Sequence, residues 1–176
     1  QAEQARTQII YAENRFTNDV ILDNVYRLRL PSEVKTYELK GVAKASRYFQ
    51  SSDFVDILTN AKSENVEYHE TDKPLTGKAQ RRLIEHIRST YYRNDLTGAL
   101  PLHQLESLAL PFEAYQLAYT PLLVQDIFGA KVNDDTLKEG RFFHSESDQN
   151  WWIRSGTTQF LQAEEAITAA QNRFYL

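Results

Sequence analysis

Along residues 1–41 the apolar and polar positions follow a strand rhythm. Arg6-Thr7-Gln8-Ile9-Ile10-Tyr11 is β-branched and aromatic and runs toward a turn cluster at Thr17-Asn18-Asp19. Tyr26, Leu28 and Leu30 alternate with Arg27 and Arg29, the period of two expected of a half-buried strand. Pro31 is expected to end that run, because it cannot donate to a ladder, and Val34 to Leu39 reads as a further strand closed by Gly41. Together these predict an antiparallel meander.

Residues 42–77 read as a polar connector. Within it Asp53 is placed to cap a short helix from Phe54 to Thr59, and the charged stretch Ser63 to Lys73 is expected at the surface. From residue 78 the spacing changes. Ala79, Leu83, Ile84, Ile87 and Tyr91 fall on one stripe of a helix, and the spacing predicts a helical region over 78–140. A second helix is expected from Leu102 through Leu110. A third would open on Pro111 and run through Phe112, Tyr115, Leu117 and Ala118, with Pro121 kinking or restarting it and Gly129 stopping it. Asn133 is a natural cap for a short helix over Asp134 to Glu139, with Gly140 after it. Residues 141–176 return to short strands, Arg141 to His144 and Trp151 to Arg154, joined by the polar loop Ser145 to Asn150. A helix over Ala163 to Asn172 and a strand-like end at Phe174-Tyr175-Leu176 complete the chain. The order predicts an α+β fold, a sheet buttressed by a helical middle, all one structural unit.

Composition narrows the function classes. The chain has 176 residues, 41% of them hydrophobic, enough for a packed core. Its net charge of −4 argues against nucleic-acid binding, which needs a basic face. No apolar run approaches 18 residues, so no membrane insertion is expected. There is no Cys, hence no disulfide framework and no thiol nucleophile, and no Met, which with the polar start at Gln1 predicts a piece of a longer polypeptide.

Candidate chemistry is sparse. His69, His86, His103 and His144 show no metal-ligand spacing, and no glycine-rich phosphate loop or Gly-x-Ser-x-Gly elbow is present, so neither a metal nor a cofactor is expected. The spacing Glu146-x-Asp148 is the one acidic pair worth weighing. It falls short of the Glu-x-Glu turn of an ADP-ribosyltransferase, and the accompanying Ser-Thr-Ser strand is missing. Trp151 and Trp152, beside Gln149 and Asn150, are candidates for contact with a sugar or a partner. At most one of the two indoles is expected outside, since successive strand residues face opposite sides. Tyr91 and Tyr92 are read the same way, one inside and one at the rim.

Several strings carry a family resemblance. Arg6 to Asn14, Leu30-Pro31-Ser32-Glu33 and Thr36-Tyr37-Glu38-Leu39 resemble the B component of Tc insecticidal toxins, the TcdB/TcaC type related to SpvB. The stretches Leu105-Glu106-Ser107-Leu108-Ala109-Leu110-Pro111-Phe112-Glu113-Ala114-Tyr115-Gln116-Leu117-Ala118 and His144-Ser145-Glu146-Ser147-Asp148-Gln149-Asn150-Trp151-Trp152-Ile153 are similar to it in the same order. The resemblance covers nearly the whole chain and departs at Arg154, where proline is expected in many relatives. It implies a segment that follows a β-propeller region and precedes RHS repeats, in a secreted B–C shell enclosing the toxic C-terminal part of the C component. The implied partners are the C component, the rest of the B component and, indirectly, the A-component channel. It implies no catalytic residue. A carbohydrate- or receptor-binding module, or an ADP-ribosyltransferase-like enzyme, are the alternatives. A chain belonging to a larger β shell should also carry open sheet edges, which residues 6–16 and 172–176 are expected to supply.

Overall fold

The computed structural model describes residues 7–59 and 63–175. Arg6, at the head of the first expected strand, and Leu176, at the tail, lie outside them. The fold is α+β, dominated by one mainly antiparallel sheet. Strands β1 (Ile9–Phe16), β4 (Pro31–Lys40), β6 (Ala79–Tyr91), β7 (Pro111–Tyr119) and β8 (Trp151–Arg154) lie side by side in that order. A small separate hairpin, β2 (Val20–Leu22) with β3 (Val25–Arg27), is inserted between β1 and β4.

The N-terminal strands exist but do not form the expected meander. β1 pairs directly with β4, Tyr11 opposite Tyr37 and Ala12 opposite Thr36, and the hairpin projects from their connection. Pro31 opens β4 instead of closing a strand. First position is a place where the missing N–H costs nothing. The alternation around Tyr26 and Leu28 is not a core-facing pattern either. Both side chains are exposed, while Arg27 Nε donates to Ser107 O at 2.6 Å and Arg29 clasps Asp19 at 3.0 Å. Leu30 does turn inward, packing against the cluster of Tyr91, Leu100 and Leu105.

The middle of the chain is where the helical expectation fails. Residues 79–91 are a 13-residue strand, the spine of the sheet. Leu83, Ile87 and Tyr91 are spaced by four, a spacing that fits one face of a regular strand as well as of a helix. The stripe therefore could not separate the two. A bulge between Thr36 and Tyr37 of the partner register leaves Ile84 unpaired and sets Leu83 on the face opposite to Ile87. In β7 the alternation holds through the middle of the strand. Tyr115 and Leu117 share one face and Ala114 and Gln116 lie on the other, with a register shift towards each end, so Pro111 starts a strand and not a helix. The segment 102–110 is a chain of turns, with His103 and Ala109 at φ 68 and 55.

β6 is long enough to take two partners along one edge. β4 runs along the other edge from Gln80 to Arg88, so β5 (Ser63–Val66), parallel to Ala79–Arg82, and β7, antiparallel to Ile87–Tyr91, share the edge opposite it. The stretch expected to be plain surface thus contributes a strand. Helical structure is confined to short pieces: α1 (Val55–Leu58), α2 (Pro121–Leu123) with a wide turn over Val124–Phe128, α3 (Asp134–Glu139) and α4 (Ile167–Asn172). Local signals did read correctly here. A helix does restart at Pro121, with Thr120 Oγ1, not singled out in the sequence, accepting from Leu123 N at 3.2 Å; Asn133 Oδ1 accepts from Thr136 N at 2.9 Å, and Gly129 ends its turn at φ 53. Arg141 to His144 forms no strand, only a single bridge from Phe143 to Trp152, and α4 is shorter than its alanine-rich segment.

Candidate functional site

Ladder partners share a face, so the registers place Glu33 and Lys35 of β4, His86 and Arg88 of β6, Tyr115 and Leu117 of β7, and Trp152 of β8 on one side of the sheet. The loop 143–150 folds over that side. A polar face, alternating as though for solvent, becomes an interior.

At its centre Glu33 is 4% exposed. Its Oε1 meets His86 Nε2 at 2.7 Å and Arg88 Nε at 3.4 Å, and its Oε2 lies 3.7 Å from Arg15 and 3.8 Å from His103. The hydrogen bond from His86, helped by Lys35 and Arg88 and opposed by burial, holds the Glu33 carboxyl down to about 2. Burial pushes the His86 imidazole below its usual value, against the pull of Glu33. The two directions agree on one state at neutral pH: ionised Glu33 accepts from a neutral His86 that carries its proton on Nε2.

Arg88 carries the network across the sheet. Its Nη1 reaches Asp148 Oδ2 at 3.0 Å and donates to Ser145 O at 3.1 Å, while the guanidinium sits 4.2 Å over the Trp152 ring. Trp152 is fully buried; its Nε1 donates to Asp148 Oδ1 at 2.9 Å and its ring meets His86 edge-on at 4.7 Å. Asp148 Oδ1 also accepts from Asn150 N at 3.0 Å, closing the loop on itself. Two carboxylates, one guanidinium, one imidazole and one indole thus tie β4, β6, β8 and the covering loop together.

The contact candidates are placed unevenly. Both Trp151 and Trp152 are buried, not one of the two; Trp151 stacks on His144 with centroids 4.0 Å apart. The strand alternation is respected, but both faces of β8 are covered. Tyr91 and Tyr92 are likewise both inside, their hydroxyls donating to Pro31 O and Thr158 O at 2.8 Å. Only Gln149 is exposed, and Asn150 is half-buried. These indoles and phenols offer no stacking platform to a ligand.

Nor does the cluster offer a reactive group. Asp148 is committed to Arg88 and Trp152, while Glu146 points from an exposed turn at φ 53, so the pair does not converge. Ser32 Oγ lies 2.7 Å from His103 Nδ1, an arrangement reminiscent of an activated hydroxyl. However, Ser32 gives its hydrogen to Arg15 O at 3.1 Å, so His103 must donate to it, the reverse of general-base activation. Ser32 is also 1% exposed, out of reach of a substrate. Sequence inspection missed this cluster because its members are scattered from 33 to 152, and charged residues in alternating strands read as a solvated face.

No protein-family model matches the chain, and no curated protein matches it. A solved structure does: that of TcdB2-TccC3 without its hypervariable C-terminal region, with a TM-score of 0.55 over 89% of this chain at 15% identity. The likeness is one of fold, and the chain spans 7% of the length of that neighbour.

Proposed function

We propose that this chain is a non-catalytic wall segment of a secreted toxin complex of the Tc kind, part of a B–C shell that encloses the toxic C-terminal part of the C component. The observation that carries the reading is the fold likeness to TcdB2-TccC3, which coincides with the resemblance of the strings 6–14, 105–118 and 144–153 to B components. The physics of the buried cluster supports it. Acids and bases that each hold another side chain, under a covering loop, fix a sheet in one geometry; they are poorly placed to receive a substrate. In this reading the partners are the C component, the remainder of the B component and, through it, the A-component channel. β1, which is the outer strand of the sheet on one side, would continue into neighbouring strands of the wall.

The test is co-expression of the polypeptide carrying this chain with its C component. We expect one complex by size-exclusion chromatography, in which the C-terminal part of the C component survives trypsin that digests it when expressed alone. Full digestion within the complex would overturn the container reading, as would turnover of NAD by the chain.

A further inference from the structure

A strand pairing begins beside β8 and is abandoned after one residue pair. Trp152 N donates to Phe143 O at 2.9 Å, and Phe143 N donates to Trp152 O at 3.2 Å. Continuing that ladder would set Arg141 opposite Arg154. Instead Arg141 turns away at φ 64, its N–H bonded to Lys138 O at 2.9 Å, and Phe142 N bonds Leu137 O at 3.0 Å. The chain is drawn back toward α3, and a groove of about 720 Å³ opens where the next strand residues would have lain.

On its other side β8 stays paired. Ile153 lies opposite Gln116, and Ser155 N donates to Ala114 O at 2.8 Å. Bonding positions alternate along an antiparallel strand. Ile153 and Ser155 therefore direct their backbone groups to β7, whereas Trp152 and Arg154 direct theirs outward. Trp152 spends its pair on Phe143. The N–H and C=O of Arg154 face the groove.

The groove is cationic. Lys138, Arg141 and Arg154 line it together with Phe143 and Gly156. Arg154 is held in place by stacking, its guanidinium 4.4 Å from the Phe143 ring centroid, and its link to Glu113 is a loose 4.0 Å. Glu113 is itself engaged by the Thr157 hydroxyl. Among the described residues Lys138 pairs only with Asp135, at 3.8 Å and largely in water, and Arg141 has no ionic partner. Cations on an open edge repel basic or like-charged strands and leave an acidic one favoured.

We propose that this groove docks an acidic extended segment of a partner polypeptide. The segment adds to the open edge of β8 through the Arg154 N–H and C=O and places a carboxylate between Arg141 and Arg154. Main-chain bonds of this kind give affinity, and the flanking charges give selectivity. The inference stands independently of the container reading, since it rests on the edge geometry and the charges alone.

The test uses the 176-residue chain and two fluorescein-labelled nine-residue peptides, one alternating Glu and Thr, the other Lys and Thr. Fluorescence anisotropy should show binding of the acidic peptide, weakened about tenfold by Arg141→Glu, about 1.4 kcal/mol in binding free energy. Lys138→Glu should weaken it less. Both residues are exposed, so the thermal melts of the variants should match that of the parent chain. Amide exchange should slow at Arg154 on binding and stay unchanged at Ser155, already bonded to Ala114. Equal binding of the basic peptide, indifference to Arg141→Glu, no binding of the acidic peptide at millimolar concentration, or a chain dimer that fills the groove would each overturn the proposal.

Discussion

Replacing Glu33 with Gln keeps the shape of the buried side chain and removes its charge, which makes it a direct probe of the central cluster. The folded chain holds this carboxyl at about 2, against an ordinary 4.5. At roughly 1.4 kcal/mol per pH unit, that lowering contributes about 3 kcal/mol of stability at neutral pH. Glu33 is nearly sealed from solvent, so screening by water takes little of it back. The sign follows from the direction of the shift. A depressed carboxyl contributes fully above its unfolded value of about 4.5, and its contribution is lost as pH falls toward about 2. Glu33→Gln should therefore cost about 3 kcal/mol at pH 7 and less than half of that at pH 3, where the parent chain has begun to lose the same charge. Urea denaturation followed by tryptophan fluorescence, run on both chains at pH 7, 5 and 3, measures the gap directly, because both indoles are buried. Acid sensitivities shared by the two chains largely cancel in the difference. A cost under about 1 kcal/mol at pH 7, or a gap that does not narrow between pH 5 and pH 3, would refute the electrostatic account of the cluster.

Two further outcomes follow from the packing and the caps. Trp152→Ala should destabilise the chain by about 3–5 kcal/mol in the same denaturation assay and free the loop 144–150, read as faster amide exchange there, since the indole anchors both Arg88 and Asp148. Asn133→Ala removes the side-chain acceptor for Thr136 N at the start of the exposed helix α3 and should cost about 1 kcal/mol by thermal or chemical denaturation, leaving the central cluster unaffected.

The parts of the fold legible in the sequence are those governed by neighbours along the chain. Asn133, Gly129 and Pro121 marked helix ends because capping, left-handed turns and the missing proline N–H depend on a few adjacent residues. The strand character of Ile9 to Tyr11, Val34 to Leu39 and Trp151 to Arg154 followed from β-branched and aromatic content, though the full extents of β1 and β4 did not. Residues 79–91 defeated the same reasoning, because the four-residue spacing of Leu83, Ile87 and Tyr91 fits a helix as well as a regular strand, and the bulge at Ile84 that breaks the strand's alternation is not visible in the sequence. What decided the matter was pairing with β4 on one edge and with β5 and β7 on the other, partners as distant as Glu33 is from Arg88.

The candidate sites divide in the same way. Sequence could mark Trp151, Trp152, Tyr91 and Tyr92 as large side chains needing a place, but not say that both members of each pair lie inside. Whether a strand face meets water depends on what is laid over it, and here the loop 143–150 covers β8. Residue type alone would send Glu33, His86, Arg88 and Asp148 to the surface. Only the register, which sets Glu33 opposite Arg88 and Lys35 opposite His86, brings the charges close enough to neutralise one another as water is excluded. Local propensity is a property of the chain; the burial of a charge is a property of what surrounds it, and that exists only once distant strands have met.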